Sequence, residues 1–231
     1  MNNQNGYVSS EGIFLSHHGV SGAFLLKHRG RMKYIEDFIN SSILGTYYKA
    51  IPSNTYSITI FNIWKEKYPL TKLQIYRLKE ISGNIPDRYD YLLAQISKNA
   101  ELAVNILVKD LAMADHFLQS KMSLETTVIC RELYYHNNIF LNITWLDPKI
   151  NDYIKYITSS LGNIFQTVDG VYTLGILLGY KYKVIDVEHI ELVSQAIDRL
   201  GKMINIFDST IIVEQPRIIR FSKLSDCNIF K

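Results

Sequence analysis

Two hydroxyls on one strand face are the first residues in this chain whose type and spacing suit chemistry. Ile51-Pro52-Ser53-Asn54-Thr55 makes a turn of proline and small polar residues, and Tyr56 to Phe61 then alternates strictly. Tyr56, Ile58 and Ile60 fall on one face, Ser57, Thr59 and Phe61 on the other. Period-two alternation of β-branched and aromatic residues is a strand pattern. It aims the Ser57 and Thr59 hydroxyls in one direction, where they can donate together to one anionic group. The same pattern also describes a half-buried strand with a polar outer face.

Other reactive side chains are scattered. His17 and His18 precede Gly19 and Gly22, but no carboxylate or third histidine stands at metal-ligand spacing. His28-Arg29-Gly30-Arg31 reads as a solvated basic turn. His136 falls in a polar turn and His189 on a helix. Arg217 and Arg220 lie three apart on a strand, so one of them faces inward. An inward arginine can clamp a phosphate through two parallel hydrogen bonds. Two edge-strand arginines that discourage aggregation are the plainer reading. There is no Gly-rich phosphate loop, CxxC or GxSxG, and no cofactor is implied.

The elements that must position these residues follow in order. Ala23–Leu26 is a strand, and Met32, Ile35, Phe38 and Ile39 share a helix face. Pro69 opens a helix through Leu70, Leu73, Tyr76 and Leu78, broken at 82–86; Tyr91, Leu92 and Ile96 mark a short helix. Leu102–Val108 reads as a buried strand, and 126–130 and 138–144 as strands around a polar turn. Asp147-Pro148 is an N-cap followed by proline at the first helical position. A turn at Asp169-Gly170 leads into a strand over 171–180, Asp186 caps a helix, and 209–213 and 217–221 are strands. Strands and helices are interspersed without a βαβ beat, which predicts an antiparallel α+β fold.

A chain of 231 residues, 47% hydrophobic and 20% charged, suits one domain over 1–231, with a polar start (1–12) expected to be disordered. The net charge of +3 carries no strong nucleic-acid signal. No apolar run reaches the length of a membrane span, and Met1-Asn2-Asn3-Gln4-Asn5 lacks the basic start and apolar core of a signal peptide. Cys130 and Cys227 match no metal spacing and read as reduced thiols, so a cytoplasmic location is expected.

The turn and strand at 51–59 resemble the first signature of the two-histidine phosphoesterases, the LigT-like superfamily. Ser57-Ile58-Thr59 stands where that family has His-x-Thr. The likeness runs from Gly19-Val20-Ser21-Gly22 through the helix at 32–44 to Thr59. It resumes over 148–226, where Pro216-Arg217-Ile218-Ile219-Arg220-Phe221 matches a late Pro-x-x-x-x-Phe element. Counting back over the preceding helix places the second signature within Thr173–Tyr180, with Gly175-Ile176-Leu177 in place of histidine, x and threonine. Asn142-Ile143-Thr144 is an alternative register that keeps the threonine but misplaces the elements after it.

The resemblance implies two pseudo-symmetric lobes of antiparallel sheet backed by helices, with a cleft between them. In the family one histidine acts as base, the other as acid, and the hydroxyl residues hold the phosphate. Imidazole suits both proton transfers because it titrates near neutrality, whereas serine and glycine do not. Without either signature histidine, the expected function is binding or sequestering a nucleotide or phosphorylated ligand in the cleft. Ser57, Thr59, Thr173, Gly175 and Arg220 are the expected ligand-binding residues, with Gly175 widening the cleft floor. One alternative is an active phosphodiesterase on cyclic or 2′,5′-linked nucleotides that uses a histidine relocated from 17, 18 or 28. Another is a protein-interaction module with a filled cleft and a protein partner.

Overall fold

Alternation along the sequence becomes one antiparallel sheet. The computed structural model describes residues 7–121, 125–165 and 174–230. Among them the strands are β1 (Gly19–Leu26), β2 (Tyr48–Ala50), β3 (Ser57–Lys65), β4 (Thr126–Tyr135), β5 (Asn138–Trp145), β6 (Gly175–Lys181), β7 (Thr210–Lys223) and β8 (Asp226–Ile229). Their order is β2-β6-β5-β4-β7-β1-β3, with β8 paired to β7. All pairings are antiparallel, so the fold is α+β as the interspersed pattern predicts. The turn at 169–170 and the start of the predicted strand at 171–173 lie outside the described residues.

The helices are α1 (Lys33–Ser41), α2 (Lys72–Ser82), α3 (Pro86–Lys98), α4 (Ala100–Asn105), α5 (Val108–Lys121), α6 (Lys149–Phe165) and α7 (Ile190–Phe207). Apolar stripes explain their packing. Ile35 and Ile39 of α1, Ile154, Ile157 and Leu161 of α6, and Val193, Ile197, Leu200 and Ile204 of α7 are all buried in one core. Local signals set the ends. Thr71 and Gln74 form a reciprocal capping box at the start of α2, so Pro69 precedes this helix by a turn. Gly83, at φ 65°, ends it in the left-handed conformation that glycine adopts without steric cost. Asp147 accepts the Lys149 N–H at 3.0 Å, as its place before Pro148 predicts. Among the described residues no helix is long and apolar enough to cross a membrane.

Three expectations are corrected. The apolar run 102–108 is helical, spanning α4 and the start of α5. Ala103, Val104, Leu107 and Leu111 are buried at helical spacing, and the Asn99 side chain accepts the Glu101 N–H at 3.0 Å. A short apolar run carries no period of its own, and here the cap decides. The segments 209–213 and 217–221 are one strand, β7. Its first residues pair with β4 through Val213, its last pair with β8 from Ile219, and β1 lies along its other side. Asp186 does not cap α7: a 3₁₀ turn (Val187–His189) intervenes, and the carboxylate accepts the Tyr47 hydroxyl at 2.8 Å.

The consequence for function is an approach across the sheet. Four strands separate β3 from β6 in the hydrogen-bonded order, yet the two touch. The sheet therefore bends back on itself, and the bend encloses a cavity.

Candidate ligand-binding cavity

Between β3 and β6 lies a cavity of about 480 Å³. That is the size range of pockets for small organic ligands. Strand alternation explains what β3 contributes. Tyr56, Ile58 and Ile60 are buried in the core, so Ser57 and Thr59 face the other way and line the cavity. Neither hydroxyl makes a side-chain hydrogen bond among the described residues. Further along β3, Asn62 and Lys65 line the same space, and Asn62 Oδ1 accepts the Ser21 hydroxyl at 2.9 Å. Asn138 of β5 adds another amide, and Lys223 at the end of β7 a second ammonium. Among the described lining residues there is no carboxylate side chain, and Lys65 and Lys223 supply positive charge.

β6 contributes Gly175 and Leu177, so the two stretches that resemble signatures face one cavity. The expectation of a widened floor at Gly175 is corrected. A Cβ at 175 would lie 2.2 Å from the Phe140 ring and 2.5 Å from the Leu141 carbonyl oxygen. The phenyl ring of β5 already fills the place where a side chain would project. Thr173 lies outside the described residues. In the alternative register, Asn142 and Thr144 are absent from the cavity lining, and Thr144 Oγ1 accepts the Arg131 Nε–H at 3.0 Å.

The arginines go elsewhere. Ile219, Phe221 and Lys223 of β7 line the cavity, so the alternate residue Arg220 points to the opposite face. There it pairs with Glu101 of α4 at 2.7 Å, beside His18 in a separate depression. Arg220 is therefore no cavity ligand in this structure: alternation along a regular strand puts it outside. Arg217 is held by Asp115 of α5 at 2.9 Å. His28 is exposed and absent from the cavity lining.

His17 is the histidine that reaches the cavity. Its N–H donates to the Ser222 carbonyl at 2.8 Å, which fastens the approach to β1 against β7. The residue is 2% exposed, and its Nε2 has no hydrogen-bond partner among the described residues. No hydrogen bond joins it to Thr59. It stacks on Phe221 at 6.0 Å and meets the edge of Tyr7 at 4.5 Å. Burial, then the nearby Lys67 ammonium, pull its pKa down to about 4, so the ring is neutral at pH 7.

A depressed histidine pKa has a definite sign for stability. The unfolded chain takes up the proton near pH 6.5, while the folded ring resists it until about pH 4. Stability is therefore complete above pH 6.5 and falls as the pH drops through that window. By linkage the His17 share is a loss of about 2 kcal/mol between pH 7.5 and 5. Urea unfolding at both pH values should show this slope, and His17→Gln should flatten it. An equal slope in the variant would assign the loss to other groups.

Tyr7, Asn62, Lys65, Asn138 and Lys223 are lining residues that no local pattern singles out. Tyr7 is placed by a small hairpin inside the stretch expected to be disordered. Val8 bridges Phe14, Ser9 N–H donates to the Ile13 carbonyl at 2.8 Å, and Gly12 turns at φ 77°. Residues 1–6 lie outside the described residues. Cys227 lines the cavity as a free thiol, its pKa raised to about 11 by burial; Cys130 is also free and buried in the core.

No family model matches the chain. It is similar to uncharacterized protein 127L of Invertebrate iridescent virus 6, at 23% identity over 181 residues, covering 76% of this chain and 72% of the viral protein. Its fold is similar to the crystal structure of ATU0111, a conserved protein of unknown function from Agrobacterium tumefaciens strain C58. That match has a TM-score of 0.65 and 11% identity, and covers 99% of this chain and 92% of the other.

Proposed function

We propose that the protein binds a nucleotide or similar phosphorylated small molecule in the cavity between β3 and β6, without efficient catalysis. One observation carries this reading: the Ser57 and Thr59 hydroxyls, without side-chain partners among the described residues, share a cavity with Lys65 and Lys223 whose described lining holds no carboxylate. Hydroxyl donors and ammonium groups are what a phosphate requires, and the rings of Phe140, Tyr180 and Phe221 offer flat apolar surface to a base. The resemblance to the two-histidine phosphoesterases supports the same place, with β3 and β6 as the equivalent strands of two related lobes. The free thiols agree with a reducing, cytoplasmic setting.

Thr59→Val tests the site because it preserves shape and strand propensity while removing one donor. A hydrogen bond to a charged group contributes about 1.5–3 kcal/mol. Affinity for a phosphorylated ligand should therefore fall roughly ten- to hundredfold. The melting temperature of the free protein should barely move. Calorimetric titration of a nucleotide panel against both proteins measures this. Failure of the wild type to bind any phosphorylated ligand at millimolar concentration would transfer the function to a protein interface.

His17 gives specific support to a second reading, a phosphodiesterase with a relocated imidazole. Its protonation state weighs against efficient turnover. A ring with a pKa about 4 is a weak base and is not charged to act as an acid at pH 7. Turnover of 2′,3′-cyclic nucleotides, cyclic dinucleotides or 2′,5′-linked oligoadenylates should stay at trace level. Robust turnover abolished by His17→Gln would establish this second reading instead.

A further inference from the structure

A buried imidazole nitrogen without a partner calls for a physical account, because such a group forfeits its hydrogen bonds to water and receives nothing in return. His17 Nε2 is in that position, as is the Asn138 Oδ1 acceptor, inside a lining that also offers hydroxyl donors and ammonium groups. What covers the imidazole is the ring of Tyr7. That ring stands edge-on to His17 at 4.5 Å, tilts against Tyr180 of β6 at 5.3 Å, and carries the Lys67 ammonium over its face at 4.8 Å. An aromatic ring from the N-terminal hairpin thus occupies a slot with rings on two sides and a cation on a third. A planar group with an adjoining anion would find the same surroundings favourable.

The hairpin holds Tyr7 through main-chain atoms: Val8 bridges Phe14, Leu15 N–H donates to the Tyr7 carbonyl at 2.9 Å, and Ser9 N–H donates to the Ile13 carbonyl at 2.8 Å, none of them a bond to the ring. The ring can therefore leave without disturbing β1, which is fastened separately through His17 N–H and Ser222.

We propose that Tyr7 is a displaceable cap: it fills the slot between Tyr180 and His17 in the free protein, and the phosphorylated ligand takes its place and hydrogen-bonds the uncovered His17. This inference rests on the ligand-binding reading above and adds competition by the protein's own ring. The electrostatics agree with it. Burial does most to keep His17 neutral; Lys67 and Lys65 add to it against the opposing Glu66 carboxylate, and these two ammonium groups are ones that would draw an anion toward the ring.

Two measurements separate the cap from the ligand. The first needs no ligand. Diethyl pyrocarbonate acylates accessible neutral imidazole, and peptide mass spectrometry reads each of the six histidines separately. Tyr7→Ala should raise the labelling rate of His17 several-fold over wild type while leaving His28 and His116 unchanged. Tyr7→Phe, which retains the ring, should return His17 to the protected rate. The second is calorimetric titration with adenosine 2′,3′-cyclic monophosphate. Loss of ring contacts of this kind corresponds to roughly three- to tenfold in an equilibrium, so Tyr7→Ala should bind the probe that much more tightly. His17→Gln should bind it at least tenfold more weakly than wild type.

An unchanged His17 labelling rate in Tyr7→Ala overturns the cap. Weaker or equal binding by Tyr7→Ala overturns the competition. Raised labelling with no binding of the probe by either protein leaves the cap standing and overturns its ligand.

Discussion

A side chain placed at position 175 should destabilise the protein sharply. Gly175→Ala is the clean test and Gly175→His the extreme one. A Cβ there meets the Phe140 ring at 2.2 and 2.4 Å and the Leu141 carbonyl oxygen at 2.5 Å. The ring must move aside, and the carbonyl belongs to the backbone of β5, where Leu141 is paired with Ile176. Relief therefore requires the β5–β6 ladder to shift. Overpacking in a well-filled interior usually costs about 1–3 kcal/mol, and a backbone clash belongs at or above the top of that range. For the histidine variant the added imidazole must also displace Phe140. Against a typical total stability of about 5–15 kcal/mol, such a loss is visible as a large drop in the urea midpoint. Phe140→Ala combined with Gly175→His should recover only part of it, because the Leu141 oxygen remains. A Gly175→Ala protein of wild-type stability would show that the strand pair yields easily, and that Gly175 is not a packing requirement.

Removing the carboxylate of Asp115 should destabilise the fold by about 3–5 kcal/mol, the usual cost of stripping a buried charge of its partner. Asp115 is buried on α5 and accepts from four donor groups of three residues at once. Arg217 grips it through Nε and an Nη nitrogen, with distances of 2.9–3.1 Å. The backbone N–H of Ile218 donates to it at 2.7 Å, and Gln119 Nε2 at 2.7 Å. The carboxylate is therefore a suture between α5 and the strand that carries Phe221 into the cavity. Asp115→Ala leaves a guanidinium and a strand N–H without an acceptor. Asp115→Asn keeps an acceptor and should cost less. Adding Arg217→Ala to Asp115→Ala should return part of the loss, since no charge is then left unpaired; chemical unfolding of the four proteins gives the coupling directly. A single-variant loss below about 1 kcal/mol would reduce the suture to an ordinary surface pair.

These two cases show how the arginine and glycine readings went astray. From spacing alone, Arg217 and Arg220 offer one inward clamp for a phosphate. In the fold, both are taken by acids on helices that lie far away in the chain, Asp115 and Glu101. Likewise, a glycine in a signature-like position suggests empty space. Whether that space is empty depends on a ring contributed by another strand, and Phe140 occupies it. A partner more than a dozen residues away leaves no periodic trace at either end.

The sequence by itself determined what depends on neighbours along the chain. Alternation from Tyr56 to Ile60 oriented Ser57 and Thr59 away from the core, because successive strand side chains point to opposite faces. Asp147-Pro148 started α6, and the absence of a βαβ rhythm gave an antiparallel α+β class, because caps and periods act within a few residues. Tertiary structure alone decided the cavity. The bend that brings β3 to β6 across four intervening strands, the arrival of His17 beside Phe221, and the Tyr7 ring over it all join residues distant in sequence. The physical reason is common to all of them: burial is a property of the whole packed chain, and a local pattern records which face is apolar but not what will cover it.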